Sequence, residues 1–320
     1  EDTVAEFLEM FDDQSRMGRD LDAAKAKFLR RFAGEEAEVE EAYNRQRRAL
    51  GFTNKHHQIG AYKREREGKN WFRPNLEADI FWPPLRDSIE LDLGDAIRDI
   101  DETSTAVING LRPHKEIQNT KGLVLGHVQS GKTTNYLSVI AKAADAGFRL
   151  IIVLTGITEN LRKQTQERID SQLVGPQSHR WHRLTSVESD FSGSDSNAGR
   201  LRNESDRFIA VVKKNSARLR RLNQWLNDAA DIAHQCPILV IDDEADQASI
   251  DVSPQSRNER SAINRQISHL LDHDITAYVA YTATPFANIL IDPSKTDDLY
   301  PSDFIVTLPE PNGYFGSRAL

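Results

Sequence analysis

GHVQSGKT, residues 126–133, follows the apolar run Gly122 to Leu125 and precedes Thr134 to Asp145, an amphipathic segment of helical spacing. A glycine, four free positions, a glycine, a lysine and a hydroxyl residue, set between a strand and a helix, form a pattern with a physical reason behind it. The glycines let the backbone curl until successive N–H groups face one point, and the helix that starts there adds the partial positive charge of its N-terminus. Such a cradle suits phosphate. Gly126, His127, Val128, Gln129, Ser130, Gly131, Lys132, Thr133 and Thr134 are therefore expected to line the phosphates of ATP. Lys132 would reach the β- and γ-phosphates, and the Thr133 hydroxyl would be an oxygen ligand for Mg²⁺, a hard cation. A glycine-rich turn that matches by chance is the plain alternative, and the flanking strand and helix weigh against it.

Toward the C-terminus, Ile238 to Ile241 is a strand-sized apolar run that ends in Asp242, Asp243, Glu244, Ala245 and Asp246. Ligands of parallel sheets collect at the carboxyl edge, so a buried strand ending in acids is the expected second half of a nucleotide site. Asp243 would hold Mg²⁺, directly or through water, and Glu244 would orient and deprotonate the attacking water. Lys132, Asp243 and Glu244 are thus the expected catalytic set. The alternative is that the acids cap a helix beginning near Ala245. Asp242 is ambiguous, and Asp246 reads as a bond to a neighbouring motif. Tyr278 to Tyr281 leads into Thr282-Ala283-Thr284-Pro285, where Thr282 and Thr284 are expected to sense the γ-phosphate and couple its state to the rest of the protein.

Candidate strands at Gly122–Gly126, Leu150–Leu154, Phe208–Val212, Ile238–Asp242, Thr276–Thr282 and Phe304–Leu308 alternate with helical segments. That alternation predicts an α/β fold with a parallel sheet sandwiched by helices over residues 71–320, which with the phosphate loop reads as a P-loop NTPase; the RecA-like type is what the motif resemblance given below implies. Residues 1–70 are expected to be a helical N-terminal appendage with a basic linker. Val4, Phe7, Leu8 and Phe11 keep helical spacing, as do Leu21, Ala24, Phe28, Leu29 and Phe32, and Gly34 separates them from a charged helix, Glu35 to Leu50. The run Lys63, Arg64, Arg66 and Lys69 is either a solvated linker or a phosphate contact. Trp71 to Trp82, dense in aromatics and prolines, reads as irregular chain packed on a neighbour. One helix is expected over Ile89–Leu111, and a mobile surface loop over Ser186–Ser205.

The chain has 320 residues and a formal net charge of −8, which argues against wholesale binding to nucleic acid while leaving room for a local basic strip. Its one cysteine, Cys236, excludes an internal disulfide framework and fits a reducing, cytoplasmic compartment. No apolar run approaches the ~20 residues of a membrane span. The chain opens at Glu1 without a starting Met, and it is expected to be a fragment or a processed form.

GHVQSGKT, DEAD (243–246) and TATP (282–285), in this order, resemble the first RecA-like domain of superfamily-two helicases and translocases over about Lys121 to Leu308. KGLVLGHVQSGKTTN, AKAADAGFRLIIVLTGITENLRKQTQERI and YTATPFAN are similar to the helicase part of bacterial Z-one domain proteins, a family described as endonucleases. The resemblance implies an ATPase of helicase type that uses ATP and Mg²⁺ and acts on nucleic acid, with DNA favoured over RNA. It implies a restriction or phage-defence setting, with a MutL/MORC-type ATPase, a methylase or a nuclease as partner. The Z-one domain proper and a second motor domain, which would supply an arginine finger, are expected to lie outside this chain. The same resemblance places nucleic acid on the loops after two strands, at Thr155, Gly156, Asn160, Arg162 and Gln164 and at Lys213, Lys214 and Asn215. Arg162 and Gln164 read equally well as surface positions of a helix. Pro113, His114 and Gln118 are candidates for the adenine by position alone. Two other functions stay open: a regulatory ATP switch that controls partner assembly without moving a strand, and a nuclease component, for which no convincing metal-dependent cutting site stands out.

Overall fold

The computed structural model describes residues 70–114, 116, 120–126, 131–193, 200–229, 235–246, 262–273, 275–283, 299 and 301–309, with Gly60, Ala61 and scattered positions between 4 and 43. The chain forms two compact units, Glu1–Gln58 and Ile59–Leu320. In the first, Phe7, Phe28, Val39, Ala42 and Tyr43 are buried together, and Phe32 meets Phe7 edge-on at 5.1 Å between ring centroids. Gly34, at a φ of 103°, separates helical residues 27–30 from 36–39, the break expected there. The basic run at 63–69 lies outside the described residues.

The second unit is built on one eight-stranded sheet. Its strands are β1 (Gly60–Ala61), β2 (Thr120–Leu125), β3 (Leu150–Thr155), β4 (Trp181–Arg183), β5 (Arg207–Lys213), β6 (Ile238–Asp243), β7 (Thr276–Thr282) and β8 (Phe304–Thr307). Their order is β1-β8-β2-β7-β6-β3-β5-β4, parallel throughout except for β1, which runs antiparallel on β8. Parallel strands are covered on both faces and so read as continuous apolar runs; all six residues of β3, LIIVLT, are buried.

Helices α1 (Trp82–Leu93), α2 (Ile97–Gly110) and α3 (Lys132–Asp145) cover one face. Trp82, Leu85, Val107, Leu137 and Ile140 share a core there with Ile151, Val153, Val211, Ile241 and Val279 of the sheet. After α4 (Glu159–Arg168), helices α5 (Ser216–Asp228) and α6 (Ala262–Leu271) pack on each other and on β5 and β7, burying Leu219, Leu222, Leu226, Ile267 and Leu270. This is the parallel α/β sandwich of the RecA-like expectation. Among the described residues no helix is long and apolar enough to cross a membrane.

Three local expectations are corrected. The single helix over Ile89–Leu111 is two helices, broken where Gly94 takes a φ of 56° and leads a short 3₁₀ turn, Gly94–Ala96, a conformation that a residue with a Cβ resists. The first of them starts earlier than expected, at Trp82, because Pro83 and Pro84 fall in its first turn, where a missing N–H leaves no bond unmade. The stretch Ser186–Ser205, expected on the surface, contributes Phe191 and Leu201 to the interior, with Phe191 edge-on to Trp225 at 5.7 Å. Two isolated apolar residues in a Ser/Asp/Gly-rich segment give no periodic signal.

The N-terminus of α1 is capped from across the molecule. Asp145, at the end of α3, accepts the main-chain N–H groups of Ile80 (2.7 Å), Phe81 (3.0 Å) and Trp82 (2.8 Å). Burial nevertheless raises its pKa, outweighing the three N–H donors. Asp145→Ala is expected to lower stability by about 1–2 kcal/mol, the range for a lost cap. A chemical-denaturation curve with an unchanged midpoint would show that the cap contributes nothing.

Candidate active site

The carboxyl ends of β2, β7 and β6 lie level, with Leu125 opposite Thr282 and Asp243 opposite Tyr281. Only β7 separates the loop-bearing strand from the acid-bearing one, so their axes are about 10 Å apart. The last two carbonyls of β7 fix both neighbours: Thr282 O accepts the N–H of Gly126 at 3.1 Å, and Tyr281 O accepts that of Ala245 at 3.0 Å.

His127, Val128, Gln129, Ser130 and Thr284 lie outside the described residues, as does Gln118. Of the phosphate-loop set, Gly126, Gly131, Lys132, Thr133 and Thr134 are described. Gly131 precedes α3 with a left-handed φ of 75°, and a Cβ added there meets no atom within 4 Å. Backbone conformation, then, is what demands glycine at this position. Lys132 Nζ donates to Gly126 O at 3.1 Å, closing the loop on itself. Burial lowers the Lys132 pKa, and the carboxylates of Asp243, Glu244 and Asp246 act against that shift. Burial and the neighbouring Glu244 charge push Asp243 up to about 6, with Lys214 and Lys132 opposing. The lysine and the acids, more than a hundred residues apart in sequence, are thus within electrostatic reach of one another.

Glu244 is the one residue other than glycine with a positive φ, 56°, among the described residues. Its Oε2 is buried and has no hydrogen-bond partner among them. A buried carboxylate oxygen without a donor suits a water or a hydrated cation. With the Lys132 ammonium and the Thr133 hydroxyl at the start of α3 and the Asp243 carboxyl within the same field, the residues present fit Mg²⁺–ATP. Thr133 and Asp243 would hold the ion, which takes oxygen ligands and keeps several waters.

Asp242, ambiguous in sequence, is assigned by the alternation of the strand. Its side chain points to the opposite face from Asp243, where Oδ1 lies 2.6 Å from Lys214 Nζ and Oδ2 accepts the Tyr278 hydroxyl at 2.7 Å. Sequence reasoning also missed a buried polar relay behind the loop. Tyr281 Oη donates to Asn135 Oδ1 at 2.9 Å, and Asn135 Nδ2 donates to Thr103 Oγ1 at 2.8 Å. Tyr136 shares hydrogen bonds with Thr133 and Thr165, while burial raises its pKa. The available signal was an asparagine next to a tyrosine on an otherwise apolar helix face.

The side chains expected to grip nucleic acid are mostly engaged inside the protein. Arg162 is fully buried: Nε bonds Glu159 at 2.7 Å, and its terminal nitrogens donate to the carbonyls of Ser186 (2.9 Å) and Val187 (2.7 Å). Lys213 pairs with the same Glu159 at 3.2 Å, Lys214 with Asp242, and Asn215 caps α5 by accepting the N–H groups of Ala217 and Arg218. Thr155 and Gly156 are buried, while Asn160 and Gln164 are exposed. Arg162, Lys213 and Lys214 thus meet acidic and carbonyl partners, and Asn215 meets main-chain N–H groups, none of which a local reading of the sequence reveals. Thr282 is buried and holds the start of the loop through its carbonyl. The adenine candidate His114 packs on Gly147, past the end of α3 opposite the loop; a helix of that length puts it roughly 20 Å away.

No protein-family model matches the chain, and no curated protein does. Among solved structures the chain is similar to the crystal structure of the Pyrococcus furiosus Hef helicase domain, at 16% sequence identity and a TM-score of 0.36. The match covers 59% of this chain and 35% of that one, so the chain spans about a third of the length of that helicase structure. At this identity and score the likeness carries no weight for substrate, partner or mechanism.

Proposed function

We propose that this chain is the ATP-binding and hydrolysing domain of a helicase-like motor that acts on nucleic acid, DNA in preference to RNA, in a bacterial restriction or phage-defence system. The observation that carries the reading is the shared electrostatic field of Lys132 with Asp243 and Glu244 at one rim of a parallel sheet. Lys132 would hold the β- and γ-phosphates, Thr133 and Asp243 the Mg²⁺. Glu244 would take the proton of the water that attacks the γ-phosphorus as the bond to ADP breaks. An arginine from a second RecA-like domain or a partner would complete the charge neutralisation. The defence setting, and partners such as a MutL/MORC-type ATPase, a methylase or a nuclease, rest on the Z-one resemblance of the motifs.

A second reading has its own support. The internal engagement of Arg162, Lys213, Lys214 and Asn215 favours a regulatory ATP switch that controls partner assembly and moves no strand. ATP turnover measured with and without single- and double-stranded DNA and RNA separates the two. A motor is expected to respond by about tenfold, the size of an ordinary coupling between two sites. Turnover indifferent to every nucleic acid selects the switch, and a protein that neither binds nor hydrolyses ATP refutes both.

A further inference from the structure

Lys214 leaves β5 and reaches over the end of β3, which separates β5 from β6, to meet Asp242; neither side chain is exposed to solvent. Removing an ammonium and a carboxylate from water costs several kcal/mol per ion, and charge pairing seldom recovers more than that. The pair is thus a poor device for stability alone, and the same ammonium makes a second contact. Nζ donates to the main-chain carbonyl of Glu244 at 2.7 Å.

That carbonyl belongs to a peptide group held at both ends. Its oxygen takes the Lys214 bond, and its nitrogen, that of Ala245, donates to Tyr281 O at 3.0 Å. The residue in front of it, Glu244, sits at a φ of 56°, which costs a residue with a Cβ roughly 1–2 kcal/mol. Strain of this kind persists only where surrounding bonds over-determine it, and it gathers at functional sites. Those two bonds hold it here, and the strained residue carries a carboxylate whose buried Oε2 has no partner among the described residues.

We propose that Lys214 is a positioning residue for Glu244: by gripping the Glu244 carbonyl it fixes the Glu244–Ala245 peptide and so the direction of the carboxylate toward the attacking water. Asp242 holds the ammonium in place through Oδ1, while the Tyr278 hydroxyl bonds its other oxygen, Oδ2, away from Lys214. The inference rests on the ATPase reading above and adds to it a route by which the loop leaving β5 acts on the catalytic turn.

The test is a double variant, Lys214→Met with Asp242→Asn, which removes both buried charges together and so avoids a stranded ion. It is expected to bind a fluorescent ATP analogue as the parent does and to keep KM, while kcat falls about 100-fold, the loss that a misplacement of about 1 Å can produce. Tyr278→Phe, which cuts the same buried cluster without touching Glu244, is expected to keep the parental kcat. A double variant with parental kcat, or a Tyr278→Phe protein that loses as much turnover as the double variant, overturns the positioning role and leaves the ATPase reading standing. A parent protein that neither binds nor hydrolyses ATP overturns both.

Discussion

Lys132→Ala is expected to lower kcat/KM for ATP by on the order of 10³-fold, the scale of losing a charged group that meets the transition state directly. The hydrogen bond from Lys132 to Gly126 O that the change removes is worth about 1 kcal/mol, small beside the expected loss of turnover. The effect on the site has two routes. The direct one is loss of the ammonium that would contact the β- and γ-phosphates. The indirect one runs through Asp243, whose carboxyl is already pushed up to about 6 by burial and Glu244, against the pull of Lys214 and Lys132. Without Lys132 it rises further, so near neutral pH more of it is protonated and fewer molecules offer Mg²⁺ a charged ligand. Residual Mg²⁺–nucleotide binding by the variant should therefore strengthen as pH rises above 6, more steeply than in the parent. Equal turnover in variant and parent would remove the phosphate role from this loop.

What could be read in advance follows from where each signal resides. β3, β5 and β6 announce themselves because a strand buried on both faces must be apolar at every position, and Leu150 to Leu154 can hardly be anything else. β1 and β4, two and three residues long, exist because a neighbour offers hydrogen bonds, and nothing in Gly60–Ala61 or Trp181–Arg183 says so. The site divides in the same way. Gly131, Lys132 and the acids of 243–246 belong to contiguous patterns whose chemistry is local, so the sequence alone singles them out as candidates. The destinations of Lys214 and Arg162 were not, because their partners come from 30 and 24 residues away along the chain. The relay from Tyr281 to Asn135 spans 146 residues. A cation at a strand exit looks the same in sequence whether it faces phosphate or a buried carboxylate.

Glu244→Gln is expected to have the opposite signature to Lys132→Ala at the binding step and a comparable one at the chemical step. The amide keeps the size and shape of the side chain, so the left-handed turn and the Lys214 bond to the main-chain carbonyl should survive. What is lost is the group that accepts the proton of the attacking water, worth about 10²–10⁴-fold in kcat. Binding should improve, and the reason is electrostatic. After burial, the Glu244 charge is the largest influence raising the Asp243 pKa, so a neutral glutamine lets that pKa fall from about 6 toward its ordinary range. In the parent, Mg²⁺–ATP affinity is expected to weaken as pH drops through about 6, where Asp243 would take up its proton; in the variant that loss should move to lower pH. At pH 6 Glu244→Gln should therefore hold Mg²⁺–ATP more tightly than the parent while turning it over hardly at all. Calorimetric titration beside a steady-state assay gives both numbers from one preparation. Unimpaired turnover would show that Glu244 is not the base, and loss of nucleotide affinity would mean that its carboxylate binds the metal itself, with Asp243 and Glu244 exchanging roles.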